Sequence, residues 1–200
     1  MSAVNALYQW LEVRVMRHGK VYYQKYLEGV PAEAVKVIGE AQQTGTVVHF
    51  LPNNQIFESV EFDADILMKR LRELAFLNRG LTIQFRDERQ DKEATYQYEG
   101  GIIAFVQHLN KTKNPLHEQP IYIHKITDHL EVEIALQYNE GYQENIHSFV
   151  NNVNTIEHGT HYTGFATALT RAVNDYIKKN KMGDFKLTGP DVREGCTTII

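Results

Sequence analysis

The chain has 200 residues, 42% hydrophobic and 23% charged, an ordinary balance for a soluble globular protein and long enough for one sizeable domain or two small ones. No apolar run approaches the roughly 20 residues of a membrane span and no charged-then-apolar leader opens the chain, so a cytoplasmic protein with no membrane partner is expected. The net charge of -4 argues against coating nucleic acid by bulk charge, and the single cysteine, Cys196, excludes an intrachain disulfide framework and any multi-cysteine zinc site.

Ser2 to Tyr8 is too short for an autonomous helix and reads as the tail of something longer. Leu11, Val13 and Val15 alternate with Glu12, Arg14 and Met16, the period-two pattern of a strand with one buried face. His18-Gly19 sits at a hairpin turn, and Val21 to Leu27 returns as the partner strand. Gly29-Val-Pro31 breaks the sheet, and the segment to Gln43 has no clean period, so it is expected to be connection. Thr44-Gly45-Thr46 leads into a strand from Val47 to Leu51, closed by Pro52-Asn-Asn54.

Asp63 is positioned to cap a helix whose apolar stripe is Leu67, Leu71 and Leu74, and Gly80 is placed to stop it. Leu81, Ile83 and Phe85 alternate again, and after a charged turn Ala94, Tyr96 and Tyr98 form a matching strand. Glu99-Gly100-Gly101 is the expected domain boundary, because two glycines free the backbone just before a helix patterned on Ile102, Phe105, Val106 and Leu109. Strands are expected at Ile121–Thr127, Glu131–Tyr138 and about Glu144–Asn151, arranged as an antiparallel meander. A helix capped by Thr163 should cover that meander with a stripe of Phe165, Leu169, Ala172, Val173 and Tyr176. It should pack on Glu131–Tyr138 and move as a rigid body about Gly100-Gly101. Thr188-Gly-Pro-Asp191 starts another short element before the apolar end at Ile200.

Few residues suggest chemistry by themselves. His158 and His161 are spaced to converge on a metal, but a divalent ion needs a third or fourth ligand and only Glu157 is near, so ordinary loop hydrogen bonding is expected. Gly100-Gly101 lacks the spacing of a phosphate-binding loop. No Ser/His/Asp or Cys/His arrangement can be argued. Arg171, Lys178, Lys179, Lys181 and Lys186 form the one basic concentration, which is either a solvated helix end or a contact to a phosphate backbone.

Gly159-Thr-His161, Gly164-Phe165, Ala168-Leu-Thr-Arg171 and Asn174-Asp-Tyr176 together resemble the G-T-H-x-x-G-F-x-x-A-L-T-R-x-x-N-x-Y signature of the ATP-binding subunits of DNA gyrase and topoisomerase IV. The likeness continues upstream through Thr44-Gly-Thr46, the stretch from Arg70 to Asn78, Tyr98-Glu-Gly-Gly-Ile102 and Gln143-Glu-Asn145, so it covers essentially the whole chain. The resemblance implies an α+β fold. Residues 1–99 would be the C-terminal part of a Bergerat-type (GHKL) ATPase sandwich, and residues 100–200 most of a ribosomal-protein-like transducer domain, an antiparallel sheet covered by helices.

Site residues carried by the resemblance are Thr46, which helps a carboxylate and a water hold adenine, and Val48, which lines the adenine pocket. Met1 and Ser2 match the segment after the ATP lid, and Arg17 an arginine at the rim where aminocoumarin inhibitors bind. Arg171, Lys178 and Lys179 are the expected DNA-facing groups. The family's water-activating glutamate, its magnesium-binding asparagine, its adenine motif and the lid match nothing after Met1, and its Gln-Thr-Lys loop would follow Ile200. This chain is therefore expected to hold no catalytic residue and no metal ligand, to bind no cofactor tightly by itself, and to turn over no ATP alone.

In an intact subunit the implied function is to couple ATP binding and hydrolysis, with magnesium, to DNA gate opening, strand passage and supercoiling. The implied partners are DNA, a topoisomerase A-type subunit and a second copy of the same subunit. One departure stands out. Ala166 occupies the place where the family commonly carries an arginine facing the DNA cavity. The rival readings are a stand-alone, non-enzymatic binding module of the same fold using its lysines for an anionic partner, and a structural fragment without activity.

Overall fold

The computed structural model describes Ser2–Ile200, and its backbone groups into two units, one ending at Asp63 and the other running from Ala64 to Ile200. In the first, α1 (Ser2–Asn5) is a single turn, and the alternating stretch forms β1 (Tyr8–Arg17) paired antiparallel with β2 (Lys20–Leu27). Their turn places His18 and Gly19 at φ of 52° and 75°, the left-handed geometry whose twist matches that of the flanking strands. The stretch read as connection holds two further strands, β3 (Val30–Pro31) and β4 (Lys36–Glu40), both paired with β2. Every residue in them is exposed, so no buried face imprints a period of two, and main-chain pairing alone makes them strands. β5 (Gly45–Pro52) pairs antiparallel with the other side of β1, giving the order β3-β2-β1-β5.

The second unit begins with α2 (Ala64–Leu77), ended by a turn with Gly80 at φ 74°, and the hairpin β6 (Ile83–Asp87) and β7 (Lys92–Tyr96). Next come α3 (Gly101–Leu109), β8 (Ile121–Ile126), β9 (Glu131–Tyr138), β10 (Asn145–His147) and the two-residue strands β11 (Phe149–Val150) and β12 (Val153–Asn154). α4 (Thr160–Lys179), α5 (Gly189–Arg193) and β13 (Cys196–Ile199) complete it. The expected meander is interrupted. The main sheet runs β10-β13-β9-β8, with β13 antiparallel to β9 and parallel to β10. All four residues of β13 are buried, so this strand fits only a central position, and it takes the place beside β9 that β10 would have occupied in a meander.

Helices cover both faces of that sheet. Ala135 of β9 and Ile199 of β13 pack with Ile102, Phe105 and Val106 of α3 and with Phe76 of α2, while Leu136 and Cys196 face Phe165 and Leu169 of α4. Phe76 stacks on Tyr98 at 3.6 Å and on Phe105 at 4.8 Å between ring centroids. This packing brings α2 into the same core as α3. Gly101, the first residue of α3, is buried beside this core, while Gly100 before it is exposed.

α4 starts four residues earlier than expected, with the extended Gly159 as its cap and the Thr163 N–H donating to the Gly159 carbonyl at 3.1 Å. Its inward stripe is Phe165, Leu169, Val173 and Ile177, four residues apart, whereas Ala172 and Tyr176 are exposed. Phe165 and Leu169 do pack against β9. Further along, Asn174 clamps the return segment, donating to the Leu187 carbonyl and accepting from the Leu187 N–H, both at 2.9 Å.

Two stability outcomes follow. Phe76→Ala should cost about 3–5 kcal/mol in urea unfolding followed by far-ultraviolet circular dichroism, because it empties a site 1% exposed. Asp87 accepts from the Arg89 guanidinium at 2.7 and 3.0 Å and from the Arg89 N–H at 2.9 Å, which holds its carboxyl at about 2 instead of 3.8. A depressed folded-state value means the stabilisation is full above the ordinary carboxylate range and is lost as pH falls through about 2. Asp87→Asn should therefore be less stable than wild type at pH 6, and the difference should shrink steadily below pH 4, the order of the unperturbed value.

Candidate functional site

Three places carry the residues singled out by sequence. The first is one face of the five-stranded sheet. Thr46 lies opposite Val15 and Val48 opposite Val13, and Arg17 follows two positions beyond Val15 on the same face, so the pairing register brings Thr46, Val48 and Arg17 together at one end of the sheet. All three are exposed, and Val48 is 46% accessible. The opposite face is polar and aromatic: Glu12 accepts from Lys25 at 3.0 Å, Lys25 lies over the Trp10 ring, and Trp10 meets His49 edge-on. On this face Val13 and Val48 lie side by side with the Thr46 hydroxyl two positions along the strand, an arrangement that can receive a flat heteroaromatic ring on the valines and bond its edge. Ser2 lies in α1, and Met1 lies outside the described residues.

The second place is the loop that leads into α4. His158, at φ 61°, turns its Nδ1 to the buried Ser148 hydroxyl at 2.9 Å and stacks on Tyr162 at 4.2 Å. Thr155 donates to the Ser148 carbonyl at 2.9 Å and meets His161 Nε2 at 3.3 Å. Both histidines are thus held in loop hydrogen bonds that fix the start of the helix. Tyr162 donates to Glu144 at 2.7 Å, and Glu144 receives Arg193 at 2.9 Å, tying α4 to α5. Sequence reading missed this Tyr162–Glu144–Arg193 chain, since its members are 18 and 49 residues apart and no local spacing announces it.

The third place is the outer side of α4. Arg171 lines a cleft of about 540 Å³ together with Thr163, Ala166, Thr167 and Lys186. Lys178 lines a neighbouring cleft with Lys181 and Lys186, and Lys179, next along the helix, lines neither. Arg171, Lys178 and Lys179 are all exposed, and the two lysines lie in the last turn, where cations complement the helix dipole.

Comparison with known proteins gives the family. The family model described as DNA gyrase B matches residues 101–200. The chain belongs to the DNA gyrase B family. It is 52% identical over 204 residues to the DNA gyrase B protein of Bacillus mycoides, spanning all of this chain and 50% of that relative. Against the DNA gyrase B protein of Halalkalibacterium halodurans it is 53% identical and spans 32% of the relative. The chain therefore spans between a third and a half of the curated relatives it matches.

Among solved structures, the 43K ATPase domain of Thermus thermophilus gyrase B in complex with an aminocoumarin is 36% identical with a TM-score of 0.83, covering 99% of this chain and 56% of that one. The topoisomerase IV ATP-binding domain of Francisella tularensis, with a small-molecule inhibitor, is 25% identical with a TM-score of 0.80 and the same 99% coverage of this chain, 55% of that one. The fold is thus the α+β fold of gyrase B ATPase domains.

Cys196 belongs to none of these places. Burial pushes its thiol up, it is 0% exposed, and its sulfur lies 3.1 Å from the Thr198 hydroxyl. It should resist a thiol-specific disulfide reagent in the native protein and react stoichiometrically once the protein is unfolded in urea, followed by absorbance of the released thiolate.

Proposed function

We propose that this chain is part of the ATP-binding subunit of a bacterial type II DNA topoisomerase, with residues 1–99 contributing the C-terminal part of the ATPase domain and 100–200 most of the transducer. In that subunit ATP binding and hydrolysis drive DNA gate opening, strand passage and supercoiling. Its partners are DNA, an A-type subunit and a second copy of itself. The observation that carries this reading is the likeness, over 99% of the chain, to a gyrase B ATPase domain solved with an aminocoumarin. The family match beginning at residue 101 supports the division at Gly100.

The residues of the exposed sheet face fit the adenine end of ATP. Val48, with Val13 beside it in register, offers an apolar bed, and the Thr46 hydroxyl at the strand's start can bond a ring nitrogen or a water against it. Arg17, two positions beyond Val15 on the same sheet face, stands at the edge of that bed, and Met1 and Ser2 are added by the family resemblance alone. Among the described residues no three acidic, histidine or cysteine side chains are placed together to hold a metal ion. ATP supplies the phosphoanhydride whose cleavage drives the cycle, and the residues here bind and orient its base.

On the transducer side, Arg171, Lys178 and Lys179 present positive charge from one helix. Positive groups on a rigid helix can track a phosphate backbone without reading sequence. α4 is anchored to the sheet by Phe165 and Leu169, so these charges are fixed relative to the sheet.

Two measurements test the reading. In the longer subunit assembled with its A-type partner, Thr46→Val should raise the KM for ATP about tenfold, the loss of roughly one net hydrogen bond, and leave relaxation without nucleotide unchanged. An unchanged KM would remove Thr46 from the site. For DNA, replacing Lys178 and Lys179 together by alanine should leave stability within about 0.5 kcal/mol. The same change should make the slope of log K against log salt shallower by roughly 0.9 for each phosphate no longer neutralised. Identical slopes would take both lysines off the DNA.

A further inference from the structure

Arg79, in the turn between α2 and β6, reaches across to the main sheet. Its Nη2 donates to the Tyr122 hydroxyl of β8 at 3.2 Å and lies 3.7 Å from Glu133 of β9, and its guanidinium sits 5.5 Å from the centre of the Tyr122 ring. The Tyr122 hydroxyl in turn donates to Glu133, so that two hydrogen bonds and one ion pair link the turn, β8 and β9. On its way the arginine stem crosses directly over Gly101. A Cβ built there would stand 2.5 Å from Nε and 2.8 Å from Cγ of Arg79, and Gly101 has φ of 56°, so a side chain at this position meets backbone strain and the arginine together. From the middle of α2, Arg70 donates to the Asn152 carbonyl at 2.6 Å, and the Asn152 amide donates to Asn78, the residue before Arg79, at 3.0 Å. Asn151 and Asn152 hold the tight β11–β12 turn at φ of 49° and 64°, presenting that carbonyl.

We infer that Arg79 is a positioning residue that locks the α2–β6 turn onto β8 and β9 over Gly101, so that α2 moves with the transducer sheet as one rigid body. The inference rests on the relay function proposed above. The Phe76 stack supplies the apolar hold between α2 and α3, but stacked rings can slide in plane. The planar guanidinium engages a hydroxyl, a carboxylate and a ring face at once, which fixes direction as well as distance. Arg70 and Asn78 add a second attachment of α2, to the β11–β12 turn. The bare backbone of Gly101 lets the arginine pass close to the start of α3, so any displacement of α2 is felt at the first turn of that helix.

The test has a structural arm and a functional arm. In this chain, R79A should speed hydrogen exchange of the Ala104 and Phe105 amides and of β8 at least fivefold with an unchanged urea midpoint, and Y122F should have a smaller effect in the same places. G101A should lower the urea midpoint less in an R79A background than in wild type, because the clash with the arginine stem is gone and only the backbone strain remains. In the longer subunit assembled with its A-type partner, R79A should keep ATP hydrolysis within twofold and reduce supercoils introduced per ATP at least fivefold, with partial recovery in R79K, which keeps the charge opposite Glu133 and loses the fork. Unchanged exchange, or additive effects of G101A and R79A, overturns the lock. Changed exchange with an undiminished supercoil-to-ATP ratio overturns its role in the relay. If the wild-type assembly shows no ATP-dependent supercoiling, the reading under Proposed function fails, and the exchange arm still decides whether the lock exists.

Discussion

The structure of the second unit depends on the seat of β13. This strand is buried on both faces and on both edges, between β9 and β10, and its alternate residues face opposite helices. Cys196 and Thr198 pair with Tyr138 and Leu136 on the side of α4, and Thr197 and Ile199 with Gln137 and Ala135 on the side of α3. Burying two threonines there requires partners for their hydroxyls. Thr197 donates to Asn110 at 2.7 Å, Asn110 donates to Gln137 at 2.9 Å, and Gln137 donates to the His117 carbonyl at 2.8 Å. Such a satisfied buried network specifies register, since a slip of one residue would orphan each of these groups. Gly195, at φ 69°, makes the approach possible, as a Cβ there would lie 2.6 Å from two carbonyl oxygens.

Once β13 is fixed, the two helix layers follow. α3 lies on one face with Phe76 of α2 beside it, and α4 on the other with its dipole-completing lysines at the far end. Tyr138, whose hydroxyl donates to the Val192 carbonyl at 2.7 Å and is pushed up to about 12 by burial, docks α5 just before the chain enters β13. The lead-in is shaped by local chemistry: Thr188 and Asp191 form a reciprocal capping box with Pro190 in the first turn of α5. In the first unit no residue of β1 to β5 is buried, and the strands are joined by main-chain pairing and by contacts such as Glu12–Lys25 and Trp10–His49. β5 exposes Val47, Val48, Phe50 and Leu51, and this is the strand that carries the proposed adenine contacts.

Elements whose apolar residues repeat regularly were legible in the sequence. The β1–β2 hairpin, α2, the β6–β7 hairpin, α3, β8 and β9 all show a period of two or 3.6 over enough residues to place them. β3 and β4 left no trace because neither face is buried, and the order of the main sheet was hidden because β13 is brought to its centre from 58 residues beyond the end of β9 in sequence, the separation of Asn139 and Thr197. The α4 stripe was read one position off at its end, taking Tyr176 for Ile177, since a tyrosine and an isoleucine side by side both satisfy an apolar pattern. At the sites, Thr46, Val48 and Arg17 fall on one face by strand parity, which a sequence can carry. The Arg79–Tyr122–Glu133 set could not be read, because contacts between residues 43 and 11 apart are made by the sheet order itself.

The packing division therefore differs from the division that the family resemblance suggests. α2 shares a core with α3, β9 and β13, and both helices fall in the unit that begins at Ala64. The central claim is that α2 and the transducer sheet open together. Native-state hydrogen exchange under increasing urea measures this most directly. The account predicts that the α2 amides around Phe76 and the β13 amides converge on one opening free energy, above that of β5. Convergence of α2 with β5 instead, well below β13, would contradict it.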